Sequence, residues 1–227
     1  ESLCIKSAMT FRSRFLAIVV VVLLTVNLTS NNLALVPRRV GLGVVASCGC
    51  APAWADVGIR KEMPLSRGRQ DEDFARGMAF GMIDYERAVA KRKRQLFRNL
   101  FDLLPKSGPV VLEVGIGSFP NALYMGSQDA PQNMDIIGVD PNEYMKQYAL
   151  DNAKKAGILK PERHNSLRLV RGIAESLPVE DNVADAVICT LTLCSVKNPS
   201  KALAEIQRTL KPGGHYLFLE HVLSETN

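Results

Sequence analysis

The stretch that most constrains this chain is Val110–Val111–Leu112–Glu113–Val114–Gly115–Ile116–Gly117. Entered through Gly108–Pro109, it is a short apolar run, rich in β-branched residues, that carries one carboxylate and breaks into two glycines. Such a run suits a strand buried on both faces of a parallel sheet. Glycines directly after it let the backbone turn tightly and let a ligand lie close to the main chain. The spacing is near the dinucleotide fingerprint G-x-G-x-x-G, but Pro120 stands at the third glycine position. Glu113 also argues against a pyrophosphate, which needs bare N–H groups at a helix N-terminus rather than an acid.

A second strand is predicted over residues 134–139, ending in Asp140–Pro141–Asn142, with Asp140 placed 27 residues after Glu113. An acid at the C-terminal end of the neighbouring strand can accept both hydroxyls of a ribose. Two acids on successive strand ends therefore define a nucleoside site. A nucleoside that carries an ammonium and a sulfonium instead of phosphates fits an acidic turn, and this points to S-adenosylmethionine as the cofactor.

Downstream the pattern repeats. A helix is predicted over residues 143–156, stopped by Gly157, and a third strand over 166–171 leads into Gly172–Ile173–Ala174–Glu175–Ser176–Leu177–Pro178. A fourth strand over 183–189 continues as Thr190–Leu191–Thr192–Leu193–Cys194. Asn198 then caps a helix with Pro199 in its first turn, Lys211–Pro212–Gly213–Gly214 stops it, and residues 215–221 form a fifth strand. Alternating βα units of this length imply an α/β protein whose parallel sheet is covered by helices and binds its ligand at the strands' carboxyl ends.

Charge divides the chain into three parts. Residues 1–56 hold five basic and two acidic side chains, residues 57–106 twelve and seven, and residues 107–227 eleven and fourteen. An acidic globule behind a basic lead-in is a poor nucleic-acid binder, since a phosphate backbone needs a basic face near the site. It suits targeting, or contact between the N-terminal region and a membrane surface. The five cysteines include no C-x-x-C pair, so their spacing supports no metal site.

Residues 1–56 read as a targeting leader. From Met9, two arginines precede the largely apolar stretch 15–26 and a polar tail, a signal-peptide pattern shorter than the ~20 residues of a membrane-spanning helix. Arg38–Arg39, a weakly apolar stretch and Ala53–Trp54–Ala55 form a second unit, similar to a twin-arginine export signal with its cleavage site. Two addresses in series suggest a plastid route with the thylakoid as a further stop, and an anchor in the endoplasmic reticulum membrane is the alternative. Residues 57–106 read as a linker and a basic helix that opens at Asp71–Glu72–Asp73 and ends at Pro105. Its Lys91–Arg92–Lys93–Arg94 run is expected on a solvated face, with anionic lipid or the substrate entrance as the sharper reading.

Glu113-x-Gly115-x-Gly117, Asp140, Gly172-x-Ala174-Glu175-x-Leu177-Pro178 and Leu210–Lys211–Pro212–Gly213–Gly214 together resemble the motif series of class I S-adenosylmethionine-dependent methyltransferases. Lys93–Arg94–Gln95–Leu96–Phe97, residues 189–198 and Glu220–His221–Val222 resemble the group that includes the membrane-associated alkyl thiol S-methyltransferases. The resemblance implies a Rossmann-like domain over residues 107–227 and a small-molecule methyl acceptor, a thiol first and a prenylated quinone or other lipid next. A catalytically silent S-adenosylmethionine-binding fragment is a further alternative. The resemblance implies that Gly115 and Gly117 border the methionine part, that Asp140 holds the ribose, and that Ala174 and Glu175 lie by the adenine, with Glu113 and Pro141 as further cofactor-binding candidates. Thr190 and Leu191 would flank the transferred methyl.

Two departures from the class stand out. Ile173 replaces the acid that many members direct at the adenine amino group, and the sequence ends soon after the fifth strand, where the class continues into a helix and a hairpin. On that basis residues 215–219 are expected at an unpaired sheet edge, which is an aggregation template. No catalytic base is assigned. His221 is nearest by position, and Cys194 is expected to be buried as a small apolar residue.

Overall fold

The structure, a computed structural model, describes residues 19–25 and 68–221. Arg38–Arg39, Ala53–Trp54–Ala55 and the chain after His221 lie outside the described residues. Six strands form one sheet: β1 (Val19–Thr25), β2 (Val110–Val114), β3 (Asp135–Asp140), β4 (Ser166–Arg171), β5 (Ala184–Thr190) and β6 (Leu210–His221). Their spatial order is β1-β6-β5-β2-β3-β4. The strands β2 to β6 run parallel, as the βα repeats require, and β1 joins antiparallel.

The helices are α1 (Arg69–Gly81), α2 (Ile83–Leu103), α3 (Ala122–Met125), α4 (Met145–Lys155) and α5 (Pro199–Thr209). Period-2 alternation along the strands sends side chains to two cores. Val111, Ile136, Ile188 and Leu217 pack under α2, α3 and α4, where they meet Leu96, Phe97, Phe101 and Met125. Leu112, Val114, Val187 and Cys189 face the other way, toward Ala202 and Ile206 of α5 and Leu177 and Val179 of the preceding loop. Each fully buried Leu, Ile or Val contributes about 1.5 to 3 kcal/mol. Asn198 caps α5 by accepting the Lys201 N–H at 3.0 Å, and Pro199 fills the first turn.

Three expectations are corrected. The basic helix is two helices that meet at Met82, just after Gly81, and α1 buries Ala75 alone. The basic run is split as well: Lys91, Arg92 and Arg94 are exposed, whereas Lys93 is buried, its Nζ 2.8 Å from both carboxylate oxygens of Glu86. A buried lysine needs such a partner, because an unpaired ammonium in the core is costly. Third, the outer edge of β6 is paired. Residues 19–25 run along it from Val19 opposite His221 to Thr25 opposite His215. The apolar run of the leader is rich in valine, a strand former, and it satisfies the backbone groups that would template aggregation.

Leu210–Gly214 also differs from a plain stop. It belongs to β6 as a bulge, with Gly213 at φ 79° and the register against β5 slipping between Ala184 and Ala186. Lys211 Nζ holds both oxygens of Asp185 at 2.8 Å, and the Asp185 carboxylate accepts the Val110 N–H that opens β2. Among the described residues no helix is long and apolar enough to cross a membrane, and no cluster of His, Cys, Asp or Glu could hold a metal ion.

Candidate cofactor site

The turn after β2 is built as the two glycines require. Gly115 and Gly117 adopt φ 69° and 53°, a region that other residues enter at a cost. The N–H groups of Gly115 and Ile116 donate to Val139 O of β3 at 2.8 and 3.1 Å, and the Gly117 N–H donates to Asp140 Oδ2 at 2.9 Å. The two glycines serve different ends. A Cβ on Gly115 would overlap the Thr192 side chain, so this glycine admits a neighbouring turn of the protein rather than a ligand. A Cβ on Gly117 would meet nothing nearer than Gly115 O at 4.0 Å. The open approach to the main chain is therefore at Gly117.

Asp140 lies beside that opening. Its Oδ1 accepts the Asn142 N–H at 2.8 Å and its Oδ2 the Gly117 N–H. Burial raises its pKa, while these two N–H bonds work in the opposite direction. Each carboxylate oxygen has two lone pairs, so one acceptor position on each remains for a pair of hydroxyls. A pocket of about 200 Å³ opens here, lined by Gly117, Gly138, Asp140, Asn142, Glu143 and Arg171. The open acceptor positions fit a ribose, and the space above Gly117 fits a chain laid along the backbone. Pro141 stays at the rim, its carbonyl accepting Arg171 Nε–H at 2.9 Å.

Glu113 is brought beneath the site rather than into the pocket. It is 1% exposed, and its Oε1 accepts Asn121 Nδ2–H at 2.9 Å. The same Nδ2 reaches Thr190 Oγ1 at 3.0 Å, which links the ends of β2 and β5. Burial pushes the Glu113 carboxyl up to about 8, against the Asn121 bond and the Lys93 charge, with Glu86 adding to the rise. Folded protein then keeps this proton through a pH range in which the unfolded chain, near its ordinary 4.5, has lost it. Stability from this group is greatest below that value and falls as pH rises toward about 8. Urea unfolding at pH 5.5 and pH 8 is expected to show a smaller drop for Glu113→Gln than for the wild type, and equal drops would contradict this assignment.

None of the remaining candidates lines this pocket, and they are placed by their own contacts. Gly172 N–H donates to Asp140 O at 3.1 Å, which draws the 172–175 loop toward Asp140. Within it Ala174 is buried, and Glu175 Oε1 accepts the N–H groups of Lys197 at 2.6 Å and Asn198 at 3.2 Å. Part of the Glu175 carboxylate is thus committed to the lead-in of α5. At the end of β5, Thr190 is held by Asn121, and Leu191 takes φ 56° with its N–H on Leu219 O at 2.7 Å. Cys194 is exposed, not buried as expected, because it lies in a short turn after the strand rather than in it. His221 ends β6, and its side chain lies outside the described residues.

Residue patterns assigned no role at this turn to Asn121, Lys93 or Thr192. Asn121 stands four residues after Gly117 in a segment that reads as an ordinary loop, and Lys93 is one of four consecutive basic residues. Only the folded strand ends bring them together.

A family described as a methyltransferase domain matches residues 112–218. The chain is 35% identical over 145 residues to "Thiol S-methyltransferase TMT1A" from Homo sapiens, covering 63% of this chain and 55% of that relative. It is 32% identical over 181 residues to the mitochondrial "2-methoxy-6-polyprenyl-1,4-benzoquinol methylase" from Mus musculus, covering 77% of this chain and 49% of that one. The chain spans about half the length of these curated relatives. Among solved structures, a candidate S-adenosyl-L-methionine-dependent methyltransferase from Methanococcus maripaludis matches with TM-score 0.51 at 20% identity, over 69% of this chain and 66% of that chain, which is a likeness of fold. The cofactor of this fold family is S-adenosylmethionine, in keeping with the two open acceptor positions at Asp140. Acidic strand ends, an open glycine turn and the matched region lead to one assignment: residues 112–218 form a methyltransferase domain with the fold of S-adenosylmethionine-dependent methyltransferases.

Proposed function

We propose that this chain catalyses methyl transfer to a small, fairly apolar acceptor, with a thiol as the first choice. The observation that carries the reading is the cradle in which Gly117 and Asp140 leave open backbone and two free acceptor positions side by side. S-adenosylmethionine supplies a methyl on a positively charged sulfur, a good leaving group for in-line displacement. The protein then has to align donor and acceptor and keep water out. Asp140 holds the ribose, Gly117 borders the methionine part while Gly115 lets the turn pack on Thr192, Ala174 and Glu175 lie by the adenine, and Thr190 and Leu191 flank the reacting carbon. A thiol has a pKa near ~8.5 and ionises in part at neutral pH, so no dedicated base is required.

The 35% identity to a thiol S-methyltransferase supports the thiol, and the 32% identity to a polyprenyl benzoquinol methylase supports a prenylated quinol as the second reading. Incubation with S-adenosylmethionine and a panel of alkyl thiols, quinols and phenols separates them by the methylated product. Thioether formation alone is the expected result. A methylated quinol would select the second reading, and cofactor binding without turnover of any acceptor would leave a silent binding protein.

We further infer that residues 1–56 direct the chain to a plastid, from the two hydrophobic units in series, the twin arginines and Ala53–Trp54–Ala55. Residues 9–70 fused to a fluorescent protein should enter plastids and be trimmed near Ala55. An untrimmed fusion in the endoplasmic reticulum would support a membrane anchor instead.

A further inference from the structure

The penultimate residue of β6, Glu220, is a carboxylate that the proposed function leaves without a task. Glu220 is 8% exposed, and its Oε1 accepts the N–H groups of both Thr192 and Leu193 at 2.9 Å. Its Oε2 is buried and has no hydrogen-bond partner among the described residues. An acid is a costly way to fill space in a core, where leucine would do as well. Its presence calls for a use of the two charge-assisted bonds.

Those bonds hold a strained turn. Leu191 sits at φ 56°, where a side chain bearing a Cβ is strained unless the surroundings fix it. The Leu191 N–H is tied to Leu219 O of β6 and the next two N–H groups to Glu220, so β6 grips three consecutive residues of the turn. Thr192 passes the constraint on. Its Oγ1 lies 3.3 Å from Val114 O and 3.2 Å from Thr190 O, and its side chain fills the place that a Cβ on Gly115 would take. One carboxylate thus joins β6, the turn after β5 and the glycine turn after β2.

We propose that Glu220 is a positioning residue of the cofactor site: by fixing Thr192 it sets the shape of the glycine turn at Gly115. This rests on the cofactor-binding part of the function proposed above. Glu220 acts through Thr192 rather than on the acceptor, since its unpartnered oxygen is sealed from solvent.

Five proteins test the idea: wild type, Glu220→Gln, Glu220→Leu, Thr192→Val and the double variant Glu220→Leu with Thr192→Val, each titrated calorimetrically with S-adenosylhomocysteine and examined for the amide resonances of Thr192 and Leu193. Glu220→Leu should move both resonances upfield and weaken binding about tenfold, as the loss of hydrogen bonds to a charged group implies. Glu220→Gln keeps an acceptor oxygen for the same N–H groups and should stay within about threefold of wild type. Thr192→Val should weaken binding about threefold, and adding it to Glu220→Leu should cost little more, because both break one chain of contacts. Wild-type affinity in Glu220→Leu, or losses that simply add, overturns the proposal. A glutamine variant as weak as the leucine variant also overturns it, since charge rather than positioning would then be the cause. If the leucine variant does not fold, Thr192→Val decides alone: wild-type binding by that variant removes the link to Gly115. A wild-type protein that binds but turns over no acceptor defeats the methyl-transfer reading and leaves these comparisons intact.

Discussion

Gly115→Val is expected to abolish S-adenosylhomocysteine binding and to lower the stability of the fold by roughly 2 to 6 kcal/mol, the sum of backbone strain and overpacking. The strain arises because a β-branched residue must take φ 69°. The overpacking arises because its Cβ would overlap the side chain of Thr192, itself held by Glu220 and by Val114 O. Neither neighbour can give way without moving the turn after β5. The sequence reading anticipates the same loss for a different reason, a side chain placed where ligand meets backbone. The structure transfers that reason to Gly117, where a Cβ enters open space. Gly117→Ala is accordingly the milder substitution in urea unfolding, carrying the cost of φ 53° alone. Equal stability of Gly115→Val and wild type would contradict the packing at Thr192.

Asp140→Ala is expected to weaken S-adenosylhomocysteine binding by about 1.5 to 3 kcal/mol, the range for a lost hydrogen bond to a charged group. The carboxylate has two tasks in this account: it accepts the N–H groups of Gly117 and Asn142, and it keeps two acceptor positions for the ribose. Calorimetry reads the second task and urea unfolding the first. Unchanged affinity in a folded variant would remove Asp140 from the site.

The parallel sheet was legible because β2 to β6 are dense apolar runs separated by unmistakable stops, such as Gly157 and Asn198–Pro199. Asp140 was legible for a related reason, since an acid that follows a buried strand directly has few places to go but the strand's carboxyl end. The remaining features depend on distance along the chain. Lys93 looks like its exposed neighbours Arg92 and Arg94, and only the docking of α2 on the sheet shows that Glu86 has to neutralise it. Pairing of residues 19–25 with β6 joins segments almost two hundred residues apart, and the same apolar run reads equally well as a targeting segment. The break at Met82 was half legible in Gly77 and Gly81, which weaken a helix without saying where it ends.

The central claim is that the turn after β2 binds S-adenosylmethionine and not a dinucleotide. Calorimetric titration of the whole chain with S-adenosylmethionine and, separately, with NAD tests it most directly. Saturable one-to-one binding of S-adenosylmethionine with no heat from NAD is the predicted result. Binding of NAD, or of neither ligand by a folded protein, would contradict it.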